Sequence, residues 1–190
     1  MPKLATRRAP KTAPRAAKAK AKAVKPIPDG YHTITPSLTV RNAAGAIEFF
    51  KKALGAELHG EVCACEDTGK IMHAEMKVGT SIFFLGDEAP QMGCAATQSS
   101  LFLYVKDADA SIERAVKAGA TLKYPASDMF WGDRVGGVAD PFGNTWTFAT
   151  HKKDLTGKQI EAAKQEFVAA MKAKAQGGCC GGSSDCGSKQ

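Results

Sequence analysis

TVRNAAGAIEFFKKALGAEL, residues 39–58, and YVKDADASIERAVKAGATL, residues 104–122, write one pattern twice in a chain of 190 residues. In each copy a run of β-type residues, ITPSLTV or SLFLYV, gives way to Asn42 or Asp107, favoured helix N-cap types. A short helix should come next and stop at Gly55 or Gly119. Ile47, Phe50 and Leu54 form the apolar side of the first helix; Ile112, Ala115, Val116 and Gly119 hold the corresponding places in the second.

The segments after the two helices are also alike. ELHGEVCAC, KIMHAEMKV and TSIFFLG are separated by Asp67-Thr68-Gly69 and Gly79-Thr80, and TLKYPASD, DRVGGVAD and NTWTFAT are broken by Asp140-Pro141-Phe142-Gly143. Each module therefore reads β-α-β-β-β, module 1 over about residues 33–88 and module 2 over about 99–150, within one α+β domain spanning 29–151. One such unit leaves one face of its sheet bare. Two units can curve together into a cup-shaped mixed sheet with the helices on the outer face, and concave surfaces bind small molecules.

The rest of the chain is tail and appendage. The net charge of +7 is not spread evenly. Residues 1–28 hold nine Lys and Arg and no acid, residues 29–151 balance to −5, and residues 152–190 to +3. The first segment, built from Ala, Lys, Arg and Pro, has little apolar surface to offset ordering and is expected to be a disordered basic tail. It could neutralise phosphates without sequence preference, as a weak nonspecific nucleic-acid contact, or simply solubilise the chain. Residues 155–176 read as a C-terminal helix: Thr156 and Gln159 have the spacing of a capping box, and Ile160, Ala163, Phe167 and Met171 share a face. Residues 177–190 form a Gly/Ser/Cys tail expected to be flexible.

No stretch reaches the roughly 20 apolar residues of a membrane span, and the first residues lack the apolar core of a secretory signal. A soluble, cytoplasmic protein with reduced thiols is the expectation. Cys179, Cys180 and Cys186 match no zinc-ribbon spacing, although adjacent thiolates could capture a soft ion; Cys63-x-Cys65 is a weak metal signal. The chain has no G-x-S-x-G elbow, P-loop or G-x-G-x-x-G motif to support hydrolase, nucleotide-driven or dinucleotide chemistry.

The paired modules, with the phrases TPSLTVRNAAGAIEFFKKALGAE, KIMHAEMKVG, FLYVKDADA and FWGDRVGGVADPFGNTWTFATHK, resemble the vicinal oxygen chelate superfamily of glyoxalase I, bleomycin-resistance proteins and extradiol dioxygenases. Within it they are most similar to the PhnB-like branch. The resemblance covers about residues 29–155. It implies a cup often completed by pairing of two copies, and a metal ligand on each of four strands in the metal-dependent members. Carried over strand by strand, those positions are Thr35, Glu75, Ser100 and Thr147.

Three neutral hydroxyls are poor ligands for a divalent transition metal, so no metal and no cofactor is expected. A rearranged set of His73, Glu75 and Cys63 is the alternative. Alternation along the strands turns Thr35, Ser37 and Thr39, then Ser100, Phe102 and Tyr104, then Thr145 and Thr147 into the cup, with Leu38, Val40, Leu101, Leu103, Trp146 and Phe148 facing the helices. Glu75 is the candidate catalytic residue, as a base of raised pKa, or else a group that binds a ligand's donor or is held by Arg134 or Lys77. Trp131 could stack on a flat ligand while Arg134 clamps an anion, unless Asp133 and Arg134 brace the cup or a dimer contact. The candidate ligand-binding set is Thr35, Ser37, His73, Glu75, Ser100, Phe102, Tyr104, Trp131, Arg134 and Thr147. The expected function is sequestration of a small organic ligand by a homodimer. A glyoxalase-like lyase, isomerase or dioxygenase acting through Glu75 is the alternative.

Overall fold

The computed structural model describes residues 24–177. Most of the basic segment and Cys179, Cys180 and Cys186 therefore lie outside the described residues. Module 1 comprises β1 (Ser37–Val40), α1 (Ala43–Leu54), β2 (Glu57–Leu58), β3 (Cys63–Ala64), β4 (Ile71–Val78) and β5 (Ser81–Asp87). Module 2 comprises β6 (Ser100–Tyr104), α2 (Ala108–Lys117), β7 (Thr121–Asp128), β8 (Asp133–Ala139) and β9 (Thr145–His151), and α3 (Gly157–Gly177) comes after it.

Both helices start where the caps predict. The Asn42 side chain accepts from the N–H of Gly45 at 2.9 Å, and that of Asp107 from Ala110 at 3.0 Å. At the start of α3, Gln159 accepts from the N–H of Thr156 at 2.9 Å while the Thr156 hydroxyl accepts from the N–H of Gln159 at 3.4 Å, a reciprocal capping box. The first post-helix strand of module 1 is broken in two, because Gly60 at φ 80° turns the chain between β2 and β3.

The strands form two sheets. The first runs β1-β5-β4-β2, with β3 also paired to β4, and the second runs β6-β9-β8-β7. The expected cup is thus two mixed sheets, each with one parallel pair, β1 with β5 and β6 with β9. The core lies between sheets and helices. Leu38, Val40, Ala74, Met76, Phe83 and Leu85 of the first sheet pack with Phe50 of α1, and Trp146 and Phe148 of β9 join the same cluster. Trp146 is the hinge of this packing: its ring lies 5.2 Å from Phe50 and 6.0 Å from Phe83, both in the other module. On α2 the buried positions are Ser111, Ile112 and Ala115; Val116, expected on the apolar side, is exposed because that side rotates toward Ser111.

Candidate functional site

Glu75 sits in the middle of β4, between Ala74 and Met76, which are buried in the core. Alternation therefore turns its carboxylate to the opposite, open face. There it is met by a group the sequence reading missed. Tyr31, in the segment that leads into β1, donates its hydroxyl to Glu75 Oε2. The other oxygen lies 3.3 Å from His73 Nε2. Phe84, opposite Glu75 in the ladder, closes the cluster, with ring centres 6.1 Å from Tyr31 and 5.0 Å from His73. The Tyr31 bond, against the opposing effect of burial and with help from His73 and His59, holds the Glu75 carboxyl below the ordinary carboxylate range. A raised-pKa general base at this position is accordingly corrected: Glu75 is an ionised acceptor. The same bond raises the Tyr31 phenol.

A second cluster is built on module 2. Asp133, only 4% exposed, begins β8 and faces the open side. Its Oδ2 accepts from Tyr104 Oη at 3.1 Å and from Trp131 Nε1 at 3.0 Å, and its Oδ1 lies 2.7 Å from His151 Nδ1. His151 reaches on to Asp154 at 3.0 Å. Burial pushes the Asp133 carboxyl up, but the bonds from His151, Tyr104 and Trp131 outweigh it and leave the group lowered. His151, to which no chemistry attached in the sequence, is raised, first by Asp133 and then by Asp154.

Arg134 points the other way. As the next residue on β8 it faces α2, where Asp109 receives its Nε at 2.6 Å and its Nη2 at 2.8 Å; Asp128 receives Nη1 at 3.2 Å. Its expected place as an anion clamp in the cup is corrected by strand alternation: Asp133 and Arg134 lie on opposite faces, and the guanidinium fastens α2 to the sheet. Thr147 lies over the second sheet, 2.8 Å from the Tyr124 hydroxyl. The Tyr124 ring occupies the space beside Gly137, where an added Cβ would come within 2.5 Å of it, so only glycine admits that ring.

The remaining candidates meet between the modules. A groove of about 720 Å³ is lined by Ser37 of β1, Ser100, Phe102 and Tyr104 of β6 and the segment His32 to Pro36, with Trp146 among its deeper walls. Phe102 is 51% and Tyr104 68% exposed, their rings 5.4 Å apart. Thr35 is turned aside, its hydroxyl donating to the His32 carbonyl at 3.2 Å.

The four positions that resemblance assigns to a metal do not suit one. Thr35, Ser100 and Thr147 offer neutral hydroxyls, and both oxygens of Glu75 are already engaged by Tyr31 and His73. Among the described residues no three His, Cys, Asp or Glu side chains converge in a way that could hold a metal ion, so the alternative of His73, Glu75 and Cys63 is not assembled.

Two βαβββ modules whose sheets meet at a groove define a paired-module α+β fold. The family model described as the Glyoxalase/Bleomycin resistance protein/Dioxygenase superfamily matches residues 15–148, and the chain belongs to that superfamily. It is 38% identical over 139 residues to "Uncharacterized protein Rv0887c" of Mycobacterium tuberculosis strain H37Rv, covering 68% of this chain and 81% of that protein. It is 29% identical over 127 residues to "Uncharacterized protein At5g48480" of Arabidopsis thaliana, covering 61% and 76%. Among solved structures it is similar to TioX from Micromonospora sp. ML1, with 27% identity and a TM-score of 0.53 over 62% of this chain and 97% of that one. No described helix is long and apolar enough to cross a membrane.

Proposed function

We propose that this chain is a PhnB-like binding protein that sequesters a small organic ligand in the groove between its modules, without metal-driven turnover. The observation that carries the reading is the groove itself. Its volume of about 720 Å³ lies within the usual range for small-molecule sites, and its lining joins exposed aromatic rings to Ser37 and Ser100 hydroxyls. The donor set supports binding over catalysis: one ionised, already bonded carboxylate and three hydroxyls stand at the positions from which relatives with a metal would ligate it. The half-open apolar face of α3, with Phe167 and Met171 exposed, supports assembly as a homodimer, which sedimentation at micromolar concentration tests.

The binding test uses anilinonaphthalene sulfonate, an aromatic anion whose emission rises in apolar surroundings. Saturable binding at one dye per chain is expected. Phe102→Ala should weaken it about tenfold, the size of one lost aromatic contact. One equivalent of tightly held metal, released by Glu75→Gln together with loss of a measurable turnover, would overturn the proposal.

A further inference from the structure

Two strand edges without a pairing strand among the described residues line this groove, and alternate backbone groups on each face away from the strand it pairs with. In the first sheet Phe84 donates to the Pro36 carbonyl and Glu88 to that of Val40, each at 2.8 Å. In a parallel pair alternate residues serve the partner strand, so the N–H and C=O of Ser37 face away from β5. In the second sheet Thr145 donates to Ser99 and Val105 donates to Ala149, each at 2.8 Å. By the same alternation the N–H and C=O of Ser100, Phe102 and Tyr104 face away from β9. Among the described residues none of these groups has a backbone partner.

Among the described residues the edge of β6 carries none of the protections a strand's own sequence can supply. SLFLY carries no charge, no proline and no bulge, its register with β9 running unbroken from Ser100 to Tyr104. An uncharged edge of unbroken register invites an added strand. The groove that this edge shares with Ser37 and with His32, Ile34 and Pro36 has a volume of about 720 Å³, the size class of a short peptide or other small ligand. Residues 100, 102 and 104 repeat a donor and an acceptor about every 6.8 Å, the repeat of an extended peptide.

Resting on the reading of the groove as a ligand site, we propose that its ligands are peptide-type molecules, bound extended and paired as an added strand to the β6 edge, with Phe102 and Tyr104 flanking their side groups. Main-chain pairing then supplies affinity that does not depend on side-chain identity.

The test uses two probes on the full chain: anilinonaphthalene sulfonate by fluorescence, and the blocked tetrapeptide acetyl-Thr-Phe-Thr-Val-amide by calorimetry and dye displacement. The peptide should displace the dye, and an analogue N-methylated at alternate residues should bind about tenfold more weakly, having lost its donors. Ser100→Pro removes a groove-facing N–H while sparing the bonds to β9, and should weaken the peptide about tenfold at an unchanged thermal midpoint. Ser100→Ala keeps that N–H and should lose far less. If the dye binds but the peptide does not displace it, or the methylated analogue binds equally well, the inference is overturned and the groove reading stands. If the dye does not bind, the groove reading fails and this inference fails with it. Ser100→Pro converting a dimer to monomers, with the peptide inert, would assign the edge to a second copy and overturn the inference.

Discussion

Replacing Trp146 by alanine should loosen the joint between the modules. The side chain is 1% exposed, belongs to β9 of module 2, and packs edge-on against Phe50 and Phe83 of module 1. Its Nε1 also donates to Asp140 Oδ2 at 2.8 Å, and Asp140 further accepts from Phe142, from the Asn144 backbone and from the Asn144 side chain. A buried indole removes roughly 150–250 Å² from water, and at about 25 cal/mol per Å² that alone is about 4–6 kcal/mol. Partial collapse of the cavity lowers the cost toward the observed range for such truncations, so about 4 kcal/mol is expected. Trp146→Phe keeps most of the ring but loses the bond to Asp140, and should cost about 2 kcal/mol. Urea unfolding monitored by far-ultraviolet circular dichroism measures both. For a domain of this size the alanine variant should melt about 8–16 °C lower. Because Trp146 couples the two sheets, unfolding of that variant should also separate into two phases where the parent shows one. A loss below about 1 kcal/mol, or an unchanged single transition of full cooperativity, would refute the argument that this indole joins the modules.

Other outcomes concern the polar clusters. The raised His151 contributes stability that is complete below its ordinary value of 6.5 and fades as pH rises through its higher folded value. The lowered Asp133 contributes above its ordinary 3.8 and loses that contribution as pH falls through its lower folded value. Thermal midpoints should therefore favour the window between, and Asp133→Asn should flatten the alkaline decline above about pH 6.5. Arg134→Ala should lower the thermal midpoint by freeing α2 from β7 and β8, yet leave dye affinity unchanged; a large loss of affinity at an unchanged midpoint would return Arg134 to the cup. Glu75→Gln should let the Tyr31 phenol ionise at lower pH, read by ultraviolet difference titration against Tyr31→Phe, because the carboxylate that raises it is gone.

Periodicity made the two modules legible before any coordinate. Alternation at Leu38 and Val40, and at Leu101 and Leu103, sorted the faces of β1 and β6 correctly, since a strand's side chains change sides at every residue whatever packs on them. Asn42, Asp107 and the pair Thr156 and Gln159 marked helix starts because capping is completed within four residues. The expected clamp at Arg134 leaves that local logic unapplied, because alternation along DRVGGVAD, whose first residue begins β8, already sets Asp133 and Arg134 on opposite faces. No local rule, however, could bring Tyr31 onto Glu75, 44 residues apart, or His151 onto Asp133, 18 apart. The same holds for the groove, which exists only because β1 and β6 are both sheet edges and the two sheets meet there. Sequence encodes which face of an element a residue occupies; what stands opposite that face depends on how the chain packs back on itself, and the polar partners and free strand edges of this site are decided there.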